Sequence, residues 1–179
     1  TDDDGTVTRF ASFHHDVTDS KRRERDLERR QQRFESLHEA SRQFMNAESI
    51  TDVARIATDA AKHTLDFPIT VLRFVDTGGE QLRPTAATAE SVAEAGERPD
   101  YRVDDAAPAA TVYRTGETRI YDDFDEVDDG YDRGDLRSGM YLPLEEYGVM
   151  SICDTEPAAF DETDLQTAGV LAKLAAGAV

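Results

Sequence analysis

The chain has 179 residues, which fits one domain of ordinary size with appended segments. Its 38 acidic and 20 basic residues give a net charge of −18, which argues against a general nucleic-acid-binding surface. The single cysteine excludes an intrachain disulfide, and no apolar run reaches the length of a membrane span. We therefore expect a cytoplasmic protein with no direct nucleic-acid contact and no membrane contact.

The basic residues are strongly biased towards arginine. Lysine occurs only at Lys21, Lys62 and Lys173. An acid-rich and lysine-poor composition resembles that of proteins from salt-loving cells. We interpret it as a sign of a halophilic protein, a hypothesis that a curve of stability against salt concentration would test.

The first 17 residues are too short to form a domain. Asp4-Gly5 is a strong turn dipeptide, and residues 7–13 alternate in the pattern of a strand. His14 and His15 follow, and adjacent side chains on a strand point to opposite faces, so we predict no metal site there.

A connecting helix is predicted over residues 19–47. Residues 20–47 contain neither Gly nor Pro, and Thr18 and Ser20 are good N-cap residues. Its basic residues alternate with acids, which indicates a solvated, salt-bridged face. Apolar residues recur at the a and d positions of a short heptad pattern, and we predict that they form the interface of a parallel homodimer: Leu27, Phe34, Leu37 and Phe44. The alternative is a single helix lying on its own domain.

The remaining chain predicts a mixed α and β domain. An acidic segment, residues 122–137, lacks the ligand spacing of a calcium loop because Val127 and Gly130 occupy ligating positions, so we interpret it as a solvated surface loop. The predicted elements are a helix from Ser49 to before Phe67-Pro68, a hairpin of residues 69–75 and 81–88, a loop or short helix near 90–100, a short helix over 108–114, a strand over 118–121, a strand pair over 138–144 and 147–154, and a helix from Asp161.

Two stretches resemble known signalling families. The turn and strand followed by Asp16-Val17-Thr18-Asp19 and a charged helix resemble the C-terminal end of a PAS domain. That resemblance implies that Asp16 and Thr18 couple the last strand to the helix. No PAS ligand pocket follows from it, because most of a PAS domain is missing.

The rest resembles a GAF domain. The segments that carry the resemblance are residues 113–117 leading to 120–122, residues 141–144 followed by 148–152, and residues 160–165 at the start of the last helix. The resemblance implies an α+β fold, a GAF-like antiparallel sheet with helices on one face, preceded by a long connecting helix. It divides the chain into a PAS tail (1–18), a signalling helix (19–47) and a GAF-like sensor domain (48–179). Together with the acidic composition, it is similar to haloarchaeal PAS/GAF sensors, either histidine kinases or regulators of the bacterio-opsin-activator type.

A regulatory sensor of a multidomain signalling protein is the function that this resemblance implies. The domain would pass a conformational signal to an output domain through a helical dimer built from the connecting and terminal helices, with the upstream PAS and downstream output domains of the same chain as partners. A small-molecule pocket is expected on the sheet face opposite the helices, with these candidate residues: Arg73, Tyr113, Tyr121, Met140, Leu142 and Cys153.

Two alternatives remain open at this point. One is a ligand-free dimerisation and relay spacer, and the other is a GAF-like enzyme such as a free methionine sulfoxide reductase, whose chemistry needs several thiols where this chain has one. We predict no catalytic residues and no metal. The cofactor is unknown, because the chain has no motif for the cyclic nucleotides, haem or bilins that some GAF domains bind.

Overall fold

The computed structural model describes the backbone of residues 3–179 and the side chains of residues 17–179. The chain divides into two compact units, residues 1–35 and residues 36–179. Five α-helices and six β-strands lie in the described part, in the order α1 Asp3–Phe44, α2 Ile50–His63, β1 Ile69–Val75, β2 Gln81–Ala87, α3 Ala89–Ala95, β3 Tyr101–Arg102, α4 Pro108–Thr115, β4 Arg119–Tyr121, β5 Ser138–Leu144, β6 Gly148–Asp154 and α5 Glu162–Gly177.

The long connecting helix is confirmed, but its beginning is not where the sequence pattern placed it. α1 runs for 42 residues without a break, so the strand predicted over residues 7–13 and the N-caps predicted at Thr18 and Ser20 are wrong. A helix forms its hydrogen bonds within the segment, whereas a strand needs a neighbouring strand for every ladder bond. The side chains of His14, His15 and Asp16 lie outside the described residues, and the assignment of residues 1–18 to a PAS domain stays a prediction.

The six strands form one antiparallel sheet in the order β3-β2-β1-β6-β5-β4. The hairpin of β1 and β2 is closed by Asp76, whose Oδ1 accepts hydrogen bonds from the backbone N–H groups of Glu80 and Gln81 at 2.9 and 3.2 Å. β1 and β6, which are distant in sequence, pair at the centre of the sheet. The predicted hairpins are therefore confirmed, while β3 has only two residues and was not predicted.

Side-chain caps determine where two of the helices begin. The Ser49 hydroxyl accepts a hydrogen bond from the Asp52 backbone N–H at 3.1 Å, as the sequence predicted. At α5, Asp161 and Asp164 form a reciprocal capping box with N···O distances of 2.8 and 3.1 Å. α2 and α5 pack on one face of the sheet, so the predicted α+β architecture is confirmed.

The acidic segment between β4 and β5 is more than a solvated loop. Phe124 and Leu136 from this segment are buried against the sheet face opposite α2 and α5. Arg133 and Asp129 form a buried ion pair, with side chains only 7 and 1% exposed. The prediction of a solvated surface loop is therefore wrong for these residues, because the apolar side chains between the acids fix the segment over the sheet.

Candidate functional site

The two faces of the sheet belong to different cores because side chains alternate along each strand. We call them the helix face and the loop face. The helix face carries Leu72, Phe74, Met140, Leu142, Leu144, Met150 and Ile152, which pack with α2, α5 and the end of α1. The loop face carries Ile69, Arg73, Tyr141, Val149, Ser151 and Cys153, and α4 together with the segments around Tyr101 and Phe124 covers it.

This alternation places the predicted pocket residues on two different faces of the sheet. Arg73 and Cys153 are buried on the loop face, and Tyr113 and Tyr121 pack half-buried against the same core. Met140 and Leu142 lie on the helix face and cannot line a pocket on the opposite side, so their assignment is corrected. Both were chosen for their apolar character within a strand, although their even positions in β5 place them with Leu144.

Arg73 is the most unusual residue of the loop face. It lies in the middle of β1, is 1% exposed, and has its guanidinium Cζ 4.5 Å from the centre of the Tyr101 ring. Burial lowers the pKa of Arg73, and Tyr101 partly opposes this effect. Because removing a cation from water is costly, a buried arginine needs partners.

The loop face also carries a cluster of aromatic rings. The rings of Tyr121 and Tyr141 meet edge to face at a centroid distance of 5.6 Å, and Phe124 contacts Tyr141 at 6.3 Å. Burial raises the pKa of the Tyr141 hydroxyl and also that of the Cys153 thiol, although nearby Arg98 opposes it at Cys153. The loop face therefore combines a buried cation with aromatic walls and a protonated thiol.

A second arginine lies at the edge of this region. Arg98 is half-buried, and its Nη1 donates to the Ala95 carbonyl at 3.4 Å while its buried Nε has no partner in the described structure. Arg98 and Pro99 border an open cleft of about 510 Å³, lined by Pro84, Thr85, Ala86, Ala87, Val92, Glu97, Arg98, Pro99 and Asp100. The cleft lies within the usual volume range of small-molecule sites, ~300–1,000 Å³.

Sequence reasoning missed Tyr101, Arg98, Tyr141 and Ser151. The odd-numbered positions of β5 and β6 share a face with Tyr121 and Cys153, so strict application of the strand period would have found Tyr141 and Ser151. Tyr101 and Arg98 come from the connection after α3, and nothing local in the sequence indicates that this connection covers Arg73.

A hydrogen bond between two segments closes the loop face. The Tyr131 hydroxyl donates to Asp105 Oδ2 at 2.5 Å, and the Tyr131 ring packs edge to face on Tyr101 at a centroid distance of 4.8 Å. Asp105 precedes α4, whereas Tyr131 belongs to the acidic segment. The contact therefore ties together the two parts of the chain that cover the loop face.

This contact predicts a specific alkaline pH dependence of stability. The hydrogen bond to Asp105 raises the pKa of Tyr131 to about 12, so the folded protein holds this proton more tightly than the unfolded chain, in which the pKa is near 10.0. Stability from the contact is present below pH ~10 and is lost as the pH rises from ~10 towards ~12. We expect the free energy of unfolding of Tyr131→Phe, measured in urea, to fall less over this pH range than that of the unaltered protein.

Asp105→Asn provides the matched comparison, since it removes the acceptor charge and keeps the Tyr131 ring. It should flatten the same part of the pH profile, while the contribution of Tyr141 is common to all three proteins and cancels. Parallel pH profiles for all three proteins would contradict the assignment.

The predicted dimer residues fall into two groups. Leu27 and Phe34 are exposed, at 65 and 73%, whereas Phe44 is 6% exposed and Leu37 packs half-buried against the helix-face core. The Phe44 side chain is therefore buried in the core of its own domain and is not available to a partner. Thr18 is exposed, and the role of Asp16 and Thr18 in coupling an upstream domain to the helix stays a prediction.

Among the side chains of residues 17–179, no group of three or more His, Cys, Asp or Glu is placed to hold a metal ion. No helix within the described part of the chain is both long and apolar enough to cross a bilayer.

Comparisons with known proteins agree with this fold. A methyl-accepting chemotaxis protein superposes with a TM-score of 0.62 at 15% identity, covering 80% of this chain and 95% of that one. Free methionine-R-sulfoxide reductase from Neisseria meningitidis has a TM-score of 0.68 at 19% identity, covering 82 and 87%. A putative GAF sensor protein from Burkholderia vietnamiensis has a TM-score of 0.67 at 15% identity, covering 82 and 92%.

At these identities the similar structures establish the fold alone. No curated protein matches the chain in sequence. The model of the GAF domain family matches residues 47–179, which include every strand of the sheet and four of the described helices. The chain therefore belongs to the GAF domain family.

Proposed function

We propose that this GAF domain is the regulatory sensor of a multidomain signalling protein. In this proposal the loop face binds a small molecule, and helix α1 transmits the resulting change along the chain. GAF domains are typically regulatory, and the similar structures include a chemotaxis protein and a sensor protein. We further propose that the upstream and downstream parts of the full protein are a PAS domain and an output domain, either a kinase or a transcription regulator, in a halophilic cell.

The end of α1 is the observation that carries the proposal. Ala40 and Phe44, in its last two turns, are 3 and 6% exposed and belong to the same core as α2, α5 and the helix face of the sheet. β1, β5 and β6 contribute side chains to both faces. A change on the loop face that moves these strands must therefore alter the packing of the last turns of α1, because packed cores do not deform continuously.

The exposed part of α1 supports a dimer as the unit that transmits the signal. Leu27 and Phe34 are large, apolar and seven residues apart, so they lie on one stripe of the helix. A parallel pair of α1 helices around a two-fold axis would bury both residues of each copy. We therefore propose a second copy of this chain as the partner.

Phe34→Glu is expected to convert the dimer to a monomer. Loss of the buried phenyl group from each copy removes ~3 kcal/mol or more, which raises the dimer Kd by about 100-fold or more. Sedimentation velocity at about 1 M salt is the measurement. The high net charge opposes association in dilute buffer, whereas at 1 M salt the Debye length is only ~3 Å and this repulsion is screened.

Met45→Glu is the matched control, since Met45 is 78% exposed and follows the end of α1. It makes the same kind of change outside the a and d positions and should leave the dimer intact. A monomeric parent protein, or a Phe34→Glu variant that sediments as a dimer, would remove the relay proposal.

The enzyme alternative has a structural argument on each side. The fold is similar to that of the methionine sulfoxide reductase from Neisseria meningitidis. Against it, Cys153 is the single cysteine of the chain and is buried with a raised pKa, and a thiol in that state is a poor nucleophile at neutral pH. The buried, incompletely partnered Arg73 favours a ligand-binding sensor over a ligand-free spacer.

A further inference from the structure

The charge of Arg73 is not balanced by the protein. Its Nε donates to the Pro99 carbonyl at 3.4 Å and its Nη1 to Ser151 Oγ at 3.5 Å, both near the long limit of a hydrogen bond. Nη2 is buried and has no partner, and no Asp or Glu among the residues with described side chains forms an ion pair with this guanidinium. Buried arginines are normally paired, because an uncompensated charge in the interior costs several kcal/mol.

Arg133, on the same face, is a buried arginine whose charge is balanced within the protein. It lies over the Phe124 ring at 5.0 Å, as Arg73 lies over Tyr101, but it also has Asp129 as a buried ionic partner. Arg73 has the aromatic ring without the carboxylate. The difference indicates that the missing anion comes from outside the chain.

Arg98 places a second incompletely satisfied cation beside the first. Its buried Nε also lacks a partner, and it lies near enough for its charge to contribute to the lowered pKa of Arg73. The carbonyl that accepts from Arg73 belongs to Pro99, the next residue, and both Arg98 and Pro99 line the open cleft. The Arg98-Pro99 segment therefore both contacts Arg73 and lines the cleft.

We propose that Arg73 and Arg98 together recognise a carboxylate group of a small organic ligand. This inference rests on the sensor function proposed above and specifies the chemistry of its ligand. The Tyr101 ring covers one face of the Arg73 guanidinium, and Nη2 has no partner, so the edge of the guanidinium plane that includes Nη2 is left to donate to the oxygens of a carboxylate. A carboxylate brings one negative charge into the aromatic interior, whereas a dianionic phosphate is far more costly to remove from water.

The test is a titration of the whole chain with sodium acetate and sodium benzoate, with sodium chloride at equal ionic strength as reference and inorganic phosphate as the competing anion. The readout is the ¹H–¹⁵N NMR signal of the Arg73 Nε–H group, which reports on this guanidinium directly. We expect both carboxylates to shift the signal saturably at millimolar concentration, and chloride and phosphate to leave it unchanged.

Variants separate the site from general charge effects. Arg73→Met should weaken carboxylate binding at least tenfold and Arg98→Met about threefold or more, measured by the ligand-dependent rise in melting temperature. Arg55→Met is the matched control, because Arg55 is an exposed arginine of α2 paired with acids of its own helix. It should bind as the unaltered protein does.

Three results would overturn the inference: no saturable shift with either carboxylate, undiminished binding by Arg73→Met, or preference for phosphate. If Arg73→Met fails to fold, the titration of the unaltered protein still tests whether Arg73 binds a carboxylate. Sedimentation of the unaltered protein and of Phe34→Glu at about 1 M salt separates this failure from failure of the sensor proposal. A dimer that depends on Phe34 without carboxylate binding would leave the relay standing and remove only the ligand class.

Discussion

Gly148→Ala is expected to lower the free energy of unfolding by about 3 kcal/mol or more. A Cβ at this position would lie 2.0 Å from the Arg73 carbonyl oxygen and 3.0 Å from the Phe74 Cα. Overpacked side chains usually cost ~1–3 kcal/mol, and here the obstructing atoms are backbone atoms that no rotamer change can move. β1 and β6 would have to separate at the centre of the sheet. Urea unfolding followed by circular dichroism measures the effect.

Gly169→Ala is the control with the same chemical change. Gly169 lies within α5. The atom nearest to a Cβ added there would be Leu142 Cδ2 at 4.0 Å, which is an ordinary contact distance. Alanine in a helix interior should raise stability by ~0.5–1 kcal/mol. Equal unfolding midpoints for the two variants would contradict the close approach of β6 to β1.

Phe44→Ala is expected to lower the free energy of unfolding by about 3–4 kcal/mol. Phe44 is 6% exposed in the core formed with α2 and α5, so its truncation leaves a cavity that the surrounding helices only partly fill. The proposed dimer should survive this change at temperatures well below the melting point. Urea unfolding combined with sedimentation velocity separates the two properties.

Phe34→Ala is the companion to this experiment. Phe34 is 73% exposed, so its truncation should change the stability of the monomer by less than ~0.5 kcal/mol, measured in dilute buffer, in which the net charge of −18 opposes association. The two phenylalanines belong to one heptad pattern in sequence and differ in what covers them. A similar loss of monomer stability for both would show that this division of α1 is wrong.

The elements that the sequence predicted well are those with local determinants. Ser49 and Asp161 begin their helices through contacts within four residues, and the hairpin of β1 and β2 is closed by Asp76 within its own turn. The strand predicted over residues 7–13 failed because alternation over so short a window does not provide a neighbouring strand. β3 was missed because its two residues depend on pairing with β2.

The candidate site was predictable in part. Arg73 was among the predicted pocket residues, and it is a buried charged residue within the apolar strand β1. Met140 and Leu142 were misplaced because the strand period was not applied to them. The contribution of Arg98 and Tyr101 depends on how the connection between α3 and α4 folds back over β1, which is a long-range property that local patterns do not encode.

The last two turns of α1 set a limit on how this domain can be shortened. The family model begins at residue 47, yet Ala40 and Phe44 fill space under the sheet that no later residue occupies. A polypeptide starting at the family boundary would open an apolar groove between α2 and α5 to water. The natural folding unit accordingly begins near residue 36, and the last turns of α1 are a structural part of the GAF domain itself.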